Sequence, residues 1–189
     1  MSVYKTKFYG EYKFSDNATP YLLTYLSKFF RTIHIERDVE KIKESYYNWK
    51  DYSYYGDLGY EGELYVKPED KSYGNKNLLA VTRWCNFAID KREDGNFLIW
   101  NGNKRFYHYE AWIQYIIDRF LQPHKIELNG VMLVVGMGST DANYMVLYEN
   151  RLIKYYAKDP RELERLRNDF KNSDIILDIM NKIPPLSSL

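Results

Sequence analysis

Few residues in this chain have both the type and the spacing that chemistry requires. Three histidines are present, His34, His108 and His124. No two stand at His-x-x-x-His spacing, so one helical face cannot present a pair of imidazoles to a metal ion. His34-Ile-Glu and His108-Tyr-Glu also lack the Ser or Thr two places on that a paired-histidine phosphodiesterase would show. The single cysteine, Cys85, lies between Trp84 and Asn86. It excludes a disulfide within the chain and a cysteine-based zinc site, and it indicates a reducing compartment. A nucleophilic thiol needs exposure and a depressed pKa, whereas Cys85 falls in a predicted buried strand, so core packing explains it. No Gly-x-Ser-x-Gly elbow is present. Gly136-Met-Gly-Ser-Thr140 has the composition of a phosphate loop without the Gly-Lys-Ser/Thr ending or the helix that should follow. It leads into a predicted strand and reads as a hairpin connection, although its backbone N–H groups and the Ser139 and Thr140 hydroxyls suit an anion. Asp90, Glu93 and Asp94 are expected at a solvated hairpin tip. Asp141, beside Gly138-Ser-Thr, is the one carboxylate placed near other polar chemistry. No acid/base pair or two-metal set emerges, and we assign no catalytic residue, no metal and no cofactor.

The segment from Trp84 to Leu121 carries what remains. Trp84, Phe87, Trp100, Phe106, Tyr107, Tyr109 and Trp112 alternate there with Arg83, Lys104 and Arg105. Such a run serves a helix packed on a hairpin, or a pocket that stacks a ring and holds a phosphate with its cations. The two uses are compatible, because residues at the edge of a core line its clefts. We place Trp84, Phe87, Trp112 and Ile116 in packing. The candidate ligand-binding set is then Arg83, Lys104, Arg105, Tyr107 and Tyr109, with Ser139 and Thr140 from the glycine-containing loop.

Local signals place these residues on elements. Phe8 to Phe14 alternates like a strand. Thr19-Pro20 is an N-cap followed by proline at the first helical position, and Leu22, Leu23, Leu26, Phe29, Phe30 and Ile33 follow at helical spacing. Thr32 to Glu36 alternates again. Residues 39 to 79, rich in tyrosine, read as a long ordered loop with one strand at Glu63 to Val66; loops of this length in compact domains are usually functional. Strands are expected at Ala80 to Asp90 and Asn96 to Trp100, with Asp94-Gly95 as the hairpin signal and Asn101-Gly102-Asn103 as a second turn. From Tyr107 the period turns helical through Tyr109, Trp112, Ile113, Ile116, Ile117, Phe120 and Leu121, up to Pro123. Asn129-Gly130 is expected as a tight turn before the buried strand Val131 to Val135, and Tyr144–Tyr148 with Leu152–Tyr156 forms a hairpin across Glu149-Asn150-Arg151. Asp159-Pro160-Arg161-Glu162 opens a helix with the pattern of a capping box, and a last helix spans Ser173 to Ile183.

The expected fold is α+β: an antiparallel sheet of hairpins packed by two main helices, with a C-terminal helical extension. We expect an α+β domain over residues 1–157 and the extension over 158–189. A chain of 189 residues buries roughly 70% of its unfolded surface, enough for one core without disulfide or metal support. Charge is balanced, with 27 Lys+Arg against 26 Asp+Glu. Duplex-DNA binders usually carry a basic excess, since phosphate neutralisation supplies much of their affinity. The N-terminus lacks the apolar core of a signal peptide, and no apolar run approaches the roughly 18 residues of a membrane span. A soluble cytoplasmic protein with no membrane partner is expected. The outlying feature is aromatic content, 17% with 20 Tyr, which suits cores, interfaces and stacking sites alike.

The runs Trp84-Cys85-Asn86-Phe87, Ile99-Trp100-Asn101-Gly102 and Lys104-Arg105-Phe106-Tyr107-His108-Tyr109-Glu110-Ala111-Trp112 resemble a group of small uncharacterised bacteriophage and mobile-element proteins. The likeness continues through Tyr115 to Pro123, Asn129-Gly130 and Asn150, and includes Gly10 to Asp16 and Arg37-Asp38, covering most of residues 8 to 155. This chain departs from the group in its tyrosine-rich loop, in Val134-Val135 where a Trp-containing strand is expected, and in the helices after Asp159. The resemblance implies a non-enzymatic phage-type counter-defence protein in the host cytoplasm. It would bind a bacterial immune protein, or sequester a nucleotide messenger. The alternatives are a nucleic-acid-binding protein that stacks bases along Arg83, Lys104, Arg105 and the tyrosine-rich loop, and a nucleotide-processing enzyme assembled from Asp141, His108 or His124. The stripe Leu163, Leu166, Phe170, Ile175, Ile176 and Ile179 either packs onto its own domain or makes a homo-oligomer through the C-terminal helices; packing in cis is favoured.

Overall fold

A computed structural model describes residues 5–31, 84–136 and 141–189. The elements whose signals are local form as expected. Lys7–Phe14 is strand β1, with Phe8, Tyr12 and Phe14 buried at the alternation of a pleated strand. Pro20–Phe30 is helix α1; the Thr19 hydroxyl oxygen accepts the Leu22 N–H at 3.2 Å, and Leu22, Leu23, Tyr25, Leu26, Phe29 and Phe30 form its buried face. The predicted second strand, the tyrosine-rich loop and Ile33 lie outside the described residues.

Two further strands, β2 (Phe87–Arg92) and β3 (Gly95–Trp100), pair antiparallel from Phe87↔Trp100 to Arg92↔Gly95. The turn is therefore Glu93-Asp94, one residue earlier than the Asp94-Gly95 signal, and Gly95 starts β3 with φ +140°. The strand expected from Ala80 begins only at Phe87 among the described residues, with Trp84 to Asn86 irregular. Helix α2 (Tyr109–Ile116) continues into a π-turn, Ile117–Leu121, and a 3₁₀-turn, Gln122–His124. The predicted apolar stripe survives that change of winding: Trp112, Ile113, Ile116, Ile117, Phe120 and Leu121 are all buried.

Leu128–Val135 is β4, Ala142–Tyr148 is β5 and Arg151–Tyr156 is β6. Among the described residues these complete one antiparallel sheet in the order β2-β3-β1-β4-β5-β6. Asn129 and Gly130 are not the expected turn; they are part of β4 and face Lys13 and Tyr12 of β1. Gly130 has φ +155°, and a Cβ there would overlap the Glu11 carbonyl oxygen and stand 2.9 Å from Tyr12 Cα. Glycine answers a close approach of two strands, which a sequence cannot display. Between β5 and β6 the corner is Glu149-Asn150, both at positive φ (50° and 63°), the backbone of a two-residue hairpin turn matched to strand twist.

Pro160–Asp169 is α3 and Asp174–Lys182 is α4. Asp159 caps α3 by accepting the Arg161 N–H at 3.0 Å. The capping box does not close, because the Asp159 N–H is donated to the Tyr156 carbonyl and Glu162 is taken by Arg165 at 2.9 Å. Leu166 and Phe170 of this region join Ile176, Ile179, Met180 and Ile183 in one core cluster with Val131, Leu133, Tyr144, Val146 and Tyr155 of the sheet. The C-terminal stripe thus packs in cis, with Ile175 left 40% exposed. The protein is α+β, an antiparallel sheet with helices.

The chain divides into two compact units: Met1–Ala18 with Phe87–Arg105 and Ile116–Leu189, and Thr19–Asn86 with Phe106–Tyr115. The first holds the sheet, α3 and α4. In the second, Phe29 stacks on Tyr115 (centroids 5.8 Å, planes 9° apart) and meets Trp112 edge-on at 5.9 Å, geometries that aromatic pairs favour. No helix among the described residues is long and apolar enough to cross a membrane.

Candidate ligand site

Strand β3 ends at Trp100, and the chain must then turn. Gly102 takes φ +89°. The Asn101 side-chain oxygen accepts the Asn103 N–H at 2.9 Å, and that of Asn103 accepts the Arg105 N–H at 3.1 Å; Asn is favoured in turns for this reason. Trp100 Nε1–H donates to the Asn103 carbonyl at 2.9 Å, and the Thr6 N–H donates to the Lys104 carbonyl at 2.9 Å. The backbone of the turn is therefore pinned on both sides, and Lys104 and Arg105 are exposed residues.

Phe106 is buried and meets Tyr109 edge-on at 6.2 Å. Tyr107 and Tyr109 are half-buried. His108 is exposed, with φ +52°, and its carbonyl accepts the Trp112 N–H that opens α2. Around this helix start lies an open recess of about 440 Å³, lined among the described residues by His108, Tyr109, Glu110 and Ala111. Burial raises the pKa of Tyr109, and the neighbouring Glu110 charge adds to the effect. The phenol stays protonated at neutral pH, and Tyr109 is one of the residues that line the recess. Glu110 and Ala111 were not singled out from the sequence: a carboxylate and a methyl group in the first turn of a helix have no distinguishing spacing.

Of the predicted binding residues, Lys104 and Arg105 are exposed beyond the turn, Tyr109 lines the recess, and Tyr107 is half-buried beside it in sequence. Arg83, Ser139 and Thr140 lie outside the described residues. The glycine-containing connection does join two antiparallel strands, with the Gly136 N–H donated to the Asp141 carbonyl at 2.7 Å. Trp84 is 40% exposed rather than packed inside, whereas Phe87, Trp112, Ile116 and Cys85 are buried. Among the described residues no group of three or more His, Cys, Asp or Glu side chains is placed to hold a metal ion.

A second charged cluster was missed. Asp90 is not at the hairpin tip but in β2, which Arg92 ends. Arg92 donates two bonds to the Glu11 carboxylate, at 2.8 and 2.6 Å, and one to Asp90 at 2.7 Å, with its guanidinium 4.3 Å from the Phe97 ring centroid. Hydrogen bonding to Glu11, above all, raises the Arg92 pKa further. Glu11 lies 81 positions away in the chain, a separation at which no local pattern reports pairing. The bridge ties β1 to β2 across β3.

The chain matches no protein-family model, no curated protein and no solved structure.

Proposed function

We propose that this is a non-enzymatic binding protein of the phage counter-defence kind, acting in the host cytoplasm by sequestering a nucleotide immune messenger or by blocking a bacterial immune protein. The observation that carries the messenger form is the open recess at the start of α2, where a half-buried, protonated Tyr109 stands beside His108 and Glu110. Ring faces stack bases without demanding a particular sequence. The exposed Lys104 and Arg105 are kept as phosphate cations from their place in the sequence, a few residues before the recess. Near-neutral overall charge fits a ligand of few phosphates better than a long polyanion.

The test is a thermal-shift and calorimetric panel of cyclic mononucleotides, cyclic dinucleotides and ADP-ribose derivatives, run on the full chain and on Tyr109→Ala. One class should raise Tm in the full chain, and the alanine variant should weaken its binding by about 1–3 kcal/mol, the worth of one base–aromatic stack. A flat panel removes the messenger form. Co-expression with single bacterial immune systems then examines the protein-blocking form: restored phage plating supports it, and unchanged immunity throughout removes it. Short single-stranded DNA belongs in the same panel; binding that weakens steeply with added salt would favour the nucleic-acid alternative.

A further inference from the structure

We draw no further inference here: the strongest candidate, the half-buried pair Ala88 and Ile99 on the sheet face beside the Glu11–Arg92–Asp90 bridge, is an apolar patch for which nothing in the structure shows what covers it.

Discussion

Replacing Leu166 by alanine removes the one side chain within α3 that is fully enclosed. Its neighbours in the cluster come from the sheet (Val131, Leu133, Tyr144, Val146, Tyr155) and from α4 (Ile176, Ile179, Met180), so a shortened side chain leaves a cavity that several rigid strands cannot close. Leu→Ala at such sites costs about 2–5 kcal/mol. Helix propensity will not enlarge the loss, because alanine is the better helix former. A ten-residue helix is marginal on its own, so α3 depends on docking; its other ties are partly exposed. Arg165 stands over the Tyr155 ring at 4.8 Å, and the Tyr155 hydroxyl donates to Asp169 at 2.7 Å, contacts that together contribute roughly 1–2 kcal/mol. We expect a loss near 3 kcal/mol, which at a urea m-value of about 2 kcal/mol/M lowers the unfolding midpoint by about 1.5 M. Urea titration followed by far-UV circular dichroism reads the midpoint, and native-state hydrogen exchange should show α3 amides losing protection first. A loss below about 0.5 kcal/mol would refute the packing argument. The titration should be repeated over a hundredfold range of protein concentration. A midpoint that falls on dilution would mean that the stripe is buried between two copies rather than in cis.

Gly130→Ala places a Cβ against the Glu11 carbonyl and Tyr12 Cα at φ +155°, and should destabilise by roughly 2–5 kcal/mol from strain and overlap combined; Gly102→Ala, with φ +89° and nothing within 4 Å, should cost only about 1 kcal/mol, and equal losses in urea would show that close approach is not the cause. Asn150 accepts the Leu128 N–H and donates to the Ile126 carbonyl, both at 2.8 Å, so Asn150→Gly, which keeps the positive φ accessible, should still lose about 1–3 kcal/mol; an unchanged midpoint would show that the turn backbone alone suffices. Burial first, and then the hydrogen bond to Asp169, push the Tyr155 phenol from 10.0 up to about 12. The unfolded phenol ionises first, so this contribution is whole below pH 10 and is lost as pH rises through 12, amounting to at most roughly 2–3 kcal/mol. Tyr155→Phe should flatten the fall in stability over that window, and parallel curves for the two proteins would contradict it.

Much of the fold was legible because its signals are short-range. Thr19-Pro20 and Asp159-Pro160 mark helix starts through bonds made within one turn, and the alternation of β1 and the stripe of α2 report which face meets a core. Those signals determine element type, the α+β class and the burial of Cys85, Phe87, Trp112 and Ile116. Tertiary structure decided whatever depends on partners distant in the chain. β1 pairs with both β3 and β4, which converts Asn129-Gly130 from a turn signal into a strand crossing. Arg92 finds Glu11 only after that pairing exists. For the candidate site, sequence singled out Tyr109 by its aromatic company, whereas the recess around it needed the start of α2 to be placed, with His108 at a positive φ. An amino-acid pattern records local preference and hydrophobic period; close approach and charge pairing belong to the folded chain, because each is made by residues that the sequence keeps apart, and the recess at the start of α2 depends on the backbone path the fold gives to neighbouring residues.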